Sequence, residues 1–177
     1  MGDAVSAESY TPRQRTTYRR RLEDELERFD RHLQEAEFVD HGTIGLELEL
    51  NLVDDQMQPD ANNQAVLEQL GGEYQAEIGA YNVELNHPPL DIHGTGLSEL
   101  AAGVQARLNR VSEAARQAGS QVAMIGTLPT MTSQFLDAPG WMTQENRYAG
   151  LNNSILESRG GAGEDRPAAR GKVRALL

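Results

Sequence analysis

Residues 42–54 read Gly-Thr-Ile-Gly-Leu-Glu-Leu-Glu-Leu-Asn-Leu-Val-Asp, and this run constrains the fold more than any other segment. Ile44, Leu46, Leu48, Leu50 and Leu52 occupy one parity; Gly45, Glu47, Glu49 and Asn51 occupy the other. Period two makes a strand with an aliphatic face that needs a core and an opposite face that carries carboxylates. Strand rise places the Cα atoms of Glu47 and Glu49 roughly 7 Å apart on that face. Two like charges so close repel each other. Two readings fit: hard divalent cations held between the carboxylates, or a solvated polar face, which glutamate's low strand propensity weakens slightly.

Around this strand the pattern is α+β. Thr11-Pro12 reads as a cap and first turn, and Tyr18, Leu22, Leu26, Phe29 and Leu33 form one stripe of a helix running to about Ala36. Such an amphipathic helix is expected to lie on the domain. A short helix over about 62–70 ends at Gly71-Gly72. Glu73–Gly79 and Tyr81–Asn86 alternate as a hairpin around Gly79-Ala80, which Pro88-Pro89 is expected to stop. Thr95 is placed to cap a long helix with Leu97, Leu100, Val104, Leu108 and Val111 as its stripe, closed near Gly119. Gln121–Gly126 reads as a strand, and Thr143 as the cap of a last helix to about Ser158. Residues 1–10 are expected to be flexible, and 160–177 an irregular Gly/Ala/Arg-rich tail.

Charge and composition narrow the function. The chain has 177 residues, enough for one domain with an appendage, and a net charge of −11. Residues 37–158 hold four basic and 17 acidic residues, so the negative charge belongs to the middle. That balance argues against nucleic-acid binding, which needs Lys and Arg for the phosphates. With no cysteine there is no disulfide, thiolate metal site or cysteine nucleophile. No apolar run reaches the roughly 18 residues of a membrane span, and the N-terminus lacks a signal peptide's apolar region, so a soluble, cytoplasmic protein is expected.

The hairpin supplies more carboxylates. Its second strand carries Asn82, Glu84 and Asn86 on one parity, and the preceding segment offers Glu73 and Glu77. If these strands neighbour the first, Glu84 joins Glu47 and Glu49 on one face; whether Glu77 does so is left open. An all-carboxylate set with no His or Cys suits Mg²⁺ or Mn²⁺ and not zinc. There is no P-loop, since Gly160-Gly161-Ala162-Gly163 is too loose, and no serine elbow. His87 and His93 read as turn histidines bonded to backbone, not ligands. Arg147, beside Tyr148, reads either as a bidentate anion contact or as an ion pair with Glu145.

Thr43-Ile44-Gly45-Leu46-Glu47-Leu48-Glu49 followed by Val83-Glu84-Leu85-Asn86 resembles the paired metal-binding strands of the glutamate–cysteine ligase family, in its bacterial carboxylate–amine ligase branch. Ala123-Met124-Ile125-Gly126-Thr127-Leu128-Pro129 and Asn146-Arg147-Tyr148 resemble that family's next two landmarks, in the same order. The resemblance implies a glutamine-synthetase-like fold, an antiparallel curved sheet forming half of a funnel for ATP and metal. It implies an ATP- and Mg²⁺-dependent ligase that joins the γ-carboxylate of glutamate to the amine of cysteine through an acyl phosphate. Glu47, Glu49 and Glu84 would bind Mg²⁺, Asn86 and Tyr148 would lie at the substrate, and Arg147 would face a phosphate or carboxylate in catalysis. The chain divides accordingly into a flexible 1–10, a helix over 11–38, the N-terminal part of a ligase catalytic domain over 40–159, and the tail. Family members are far longer, so an incomplete, truncated or frame-shifted ligase is expected, with amino acids and ATP as its partners and a homo-oligomer possible. The alternatives are other carboxylate and amine substrates, or a non-catalytic regulatory or assembly subunit that pairs through the N-terminal helix.

Overall fold

A computed structural model describes residues 5–37 and 42–159; the expected irregular tail lies outside the described residues. The long alternating run forms β1 (Thr43–Val53), and the hairpin forms β2 (Tyr74–Ala76) and β3 (Asn82–Asp91). With β4 (Gln121–Ala123) they make an open antiparallel sheet in the order β2-β3-β1-β4. The helices are α1 (Pro12–Glu35), α2 (Asn63–Leu67), α3 (Gly96–Gln117), α4 (Ser133–Asp137) and α5 (Asn146–Ser158). The fold is α+β, as the pattern of elements required.

The core sits on the aliphatic side of the sheet. Leu50 and Leu52 from β1, Val83 and Leu85 from β3, and Tyr74 from β2 pack against Val66 of α2 and Val111, Ala114 and Ala115 of α3. Ile44, Leu46 and Leu48 are only half-buried, so β1 is anchored most firmly at its C-terminal end. Helix α3 is also tied by charge: Glu73, just ahead of β2, pairs with both Arg107 and Arg110. The Tyr74 hydroxyl donates to the Arg107 carbonyl at 2.9 Å. Two close approaches set the seat of α3. A Cβ at Gly96 would lie 1.7 Å from the Asp91 carbonyl oxygen, and one at Gly103 would lie 2.2 Å from His87 Nε2.

Several sequence expectations are corrected. Strand β3 does not stop at Pro88-Pro89 but runs to Asp91. The β1–β3 register shifts between Ile44 and Leu46, opposite the prolines, and this irregularity absorbs their missing donors. Leu97 leaves the stripe of α3 and is 59% exposed, while Ala114 and Ala115 make the buried contact. Thr95 precedes α3 without capping it, since its hydroxyl donates to Glu99. Thr143 is not the cap of α5 either; it is buried, with its hydroxyl bonded to the Glu77 carbonyl and to Asn63 Nδ2, and Glu145 takes the cap position. Strand β4 ends at Ala123, leaving Met124 and Ile125 exposed, and α4 was not foreseen.

The largest correction concerns α1. Thr11 and Gln14 form the expected capping box, but the apolar stripe does not lie on the domain. Every residue of that stripe is exposed, Tyr18 at 67% and Phe29 at 58%. The helix touches the body near its start, where Arg15 pairs with Glu157 at 3.4 Å. Residues 5–10 run beside α5: Asn146 Nδ2 donates to the Val5 carbonyl, and a Cβ at Gly150 would lie 3.1 Å from the Glu8 carbonyl oxygen. No helix of the described residues is long and apolar enough to cross a membrane.

Leu50 and Leu97 test this core directly. Leu50→Ala is expected to cost about 2–5 kcal/mol in denaturant unfolding, because a fully buried side chain leaves a cavity. Leu97→Ala is expected to stay within about 0.5 kcal/mol of wild type, although the sequence stripe placed both residues inside.

Candidate carboxylate site

The other side of the sheet carries the acids, and the strand register decides which of them meet. Because β1 and β3 are antiparallel partners, Glu49 stands opposite Glu84, Glu47 opposite Asn86 and Asn51 opposite Asn82. On the other flank of β3, Gln75 of β2 stands opposite Glu84. Glu47 and Glu49 are exposed, while Glu84, Asn86 and Glu77 are half-buried. The expected gathering of Glu47, Glu49 and Glu84 on one sheet face is therefore present. Between Thr43 and Leu50, β1 has no strand on its β4 side among the described residues.

Polar contacts order this face. Asn86 Nδ2 donates to Glu84 Oε1 at 2.7 Å, and Asn82 Nδ2 donates to Asn51 Oδ1 at 3.0 Å. Glu77, whose direction the sequence left open, faces Glu84 and shares a hydrogen bond with it. Burial, followed by that bond and the charges of Glu84 and Glu49, pushes the Glu77 carboxyl up to about 7. Glu73 has the opposite fate. Burial opposes its charge too, but Arg110 and Arg107 outweigh that and hold it below the usual carboxylate range. Glu73 thus joins the scaffold of α3, although its parity in the sequence matches that of Glu77.

Arg147 and Tyr148 sit at the rim near Glu77. Arg147 Nε pairs with Glu145 at 2.9 Å, and its NH2 donates to the Ala76 carbonyl at 3.0 Å. The guanidinium also meets the Tyr148 hydroxyl and lies 4.4 Å from that ring's centroid. The ion pair with Glu145, one of the two sequence readings for Arg147, is present. The Tyr148 hydroxyl donates to the Ala76 carbonyl at 2.6 Å; burial first, then the Glu77 charge, push it up to about 12, so it remains a donor. Tyr81, which sequence reasoning passed over, borders the same face: the Glu49 charge adds to burial in raising its pKa, and its ring stacks edge-on against Phe135 at 5.5 Å. Its place one residue ahead of the Asn82-Glu84-Asn86 parity gave no signal of that role.

The histidines differ from the expected turn histidines: His87 lies within β3 and bonds backbone, while the His93 ring meets the Asp91 side chain. His87 is buried against α3 with Nδ1 at 2.8 Å from the Pro88 carbonyl, and His93 Nδ1 is 2.8 Å from Asp91. A cleft of about 590 Å³ opens at the Glu47 end, bordered by Glu47, Asn86, Gly45 and the two prolines.

The donor set on this face is all oxygen. Among the described residues, no three acidic or histidine side chains converge as a ready-made metal cage. Mg²⁺ needs none: it takes one or two protein carboxylates and fills the rest of its octahedron with water and phosphate oxygens. Glu49 opposite Glu84, open to the solvent side, fits that requirement.

The model of glutamate-cysteine ligase family 2 matches residues 43–165, from the first residue of β1 to beyond the end of α5. No curated protein and no solved structure matches the chain.

The raised Glu77 carboxyl gives a pH signature. A carboxyl whose folded-state pKa lies above its unfolded value of 4.5 adds stability below that value and loses it as pH rises through about 7. Without metal, the wild-type melting temperature is expected to fall between pH 5 and pH 8 by more than that of Glu77→Gln, which cannot ionise.

Proposed function

Since the chain belongs to glutamate-cysteine ligase family 2, a family of carboxylate–amine ligases, we propose that its carboxylate face serves ATP- and Mg²⁺-dependent amide formation. In this reading the acid substrate is glutamate, activated at its γ-carboxylate as an acyl phosphate, and the amine is that of cysteine. The observation that carries it is the Glu49–Glu84 pairing across the β1–β3 ladder, on a face whose reverse side buries Leu50, Val83 and Leu85 completely. Like charges placed directly opposite destabilise a sheet. A cation between them turns that cost into binding free energy.

When bound, Mg²⁺ neutralises charge on the phosphate oxygens during phosphoryl transfer. Glu49 and Glu84 would hold the ion, with Glu47 and Glu77 beside them. Asn86 orients Glu84 through its 2.7 Å hydrogen bond and offers its remaining amide capacity to substrate in the adjoining cleft. Tyr148 stays protonated and fixes the edge of β2 at Ala76. The guanidinium of Arg147 already faces one carboxylate, that of Glu145, and exchanges it for a carboxylate or phosphate of the substrates. With Glu145→Gln, the hold on Arg147 loosens and substrate gains access to it.

Thermal melting with and without Mg²⁺-ATP tests the reading. A ligand that binds only the folded state adds about 2.7 kcal/mol at 100 times its dissociation constant. The wild-type melt is expected to shift upward and the Glu47→Gln/Glu49→Gln variant to show no shift. A cooperative wild-type melt that Mg²⁺-ATP leaves unmoved, or an equal shift in the variant, would remove nucleotide and metal from these strands.

A further inference from the structure

Helix α1 carries a stripe without a cover and a charge order that opposes its own dipole. Residues 12–22 contain five arginines and no acid; residues 23–35 contain six acids and two arginines. A helix dipole favours acids in the first turn and bases in the last. In α1 the first turn has no acid and the last has only His32. The arrangement is unfavourable in an isolated helix, and α1 buries none of its apolar stripe against the described domain. The helix also precedes the segment matched by the family, so the carboxylate site does not account for its stripe.

An antiparallel second copy answers both features. Reversal brings the arginine-rich half of each helix beside the acidic half of the other, and opposes the two dipoles. The stripe supports that reversal, because its spacings of 4, 4, 3 and 4 are almost the same read backwards. With Leu26 facing Leu26 of the second copy, Tyr18 meets Leu33 and Leu22 meets Phe29. At about 100° per residue, Arg19 and Asp30 flank the stripe on one side and Glu25 on the other, with Arg15 inside it. Reversal then sets Arg19 near Asp30 of the second copy. A parallel pair would instead stack arginine on arginine and acid on acid.

We propose that α1 is a homodimerisation helix through which two copies of this chain pair antiparallel, along Tyr18, Leu22, Leu26, Phe29 and Leu33. The surface covered is on the order of 1,000 Å² in total, at the lower bound for specific association. The dimer therefore dissociates on dilution. Because the pairing is isologous, it closes at two copies and does not propagate.

The absence of cysteine makes a clean crosslinking test possible with the full chain. Tyr18→Cys and Leu33→Cys proteins, mixed and mildly oxidised, are expected to give the mixed 18–33 disulfide in excess over either symmetric one. Sedimentation equilibrium of the wild type should reach twice the chain mass at high concentration. Arg19→Glu should weaken the dimer about tenfold or more by setting acid against Asp30 at two symmetry-related places. Adding Asp30→Arg to that variant should restore it. All these positions are exposed, so circular dichroism of each variant should match the wild type. A chain that stays monomeric at high concentration, symmetric disulfides in excess, or a swap that fails to restore association would each overturn the proposal.

Discussion

The antiparallel ladder between β1 and β3 is the constraint on which the rest of the molecule depends. One register, Glu49 opposite Glu84 and Leu50 opposite Val83, sets both sides of the sheet at once. On one side it completes the layer of Leu50, Leu52, Val83 and Leu85 on which α2 and α3 rest. On the other it places acids against acids. A slip by one residue would turn leucines to solvent and glutamates into the core, so burial of the aliphatic side enforces the acidic side. The carboxylate face exists because the hydrophobic effect on its reverse outweighs the repulsion across it.

Within that frame, neighbouring residues of the same type have opposite fates. Glu73 and Glu77 lie on either side of the short strand β2. Glu73 reaches two arginines of α3 and is held ionised; Glu77 meets Glu84 and burial and holds its proton up to about neutral pH. The first fastens a helix to the sheet edge. The second adds to a cluster of carboxylates whose repulsion a proton relieves below about neutral pH and a cation would relieve above it, which is the physical basis of the proposed Mg²⁺-nucleotide site. Asn86, Tyr148 and Arg147 are arranged around it through short contacts to Glu84, Ala76 and Glu145.

The same accounting separates α1 from the domain. Helix α3 buries alanines and a valine under the sheet and is fastened by its arginines. Helix α1 has larger apolar side chains, yet none of them touches the core. Its arginines and acids are sorted by half along the axis, and that order gains free energy from a reversed partner. The catalytic reading and the dimer reading thus rest on different parts of the chain and on different forces.

By itself, the sequence determined whatever follows from a short-range period. The alternation in 43–53, the Thr11-Pro12 start, the stripe of α1 and the shared face of Glu47 and Glu49 were legible because neighbouring residues define them. The family landmarks were legible for the same reason. Tertiary structure decided what depends on which element arrives opposite. It carried β3 through Pro88-Pro89, because an irregularity in the ladder opposite them relieved the need for their donors. It sent Glu73 to α3, turned Glu77 toward Glu84 and gave Arg147 to Glu145. It buried Ala114 and Ala115 in preference to Leu97, because the sheet meets α3 along that line. It drew Thr143 inward to Asn63 and the Glu77 carbonyl. Amphipathicity states that a face needs a partner, and only the packed chain shows whether it finds one; for α1, among the described residues, it does not.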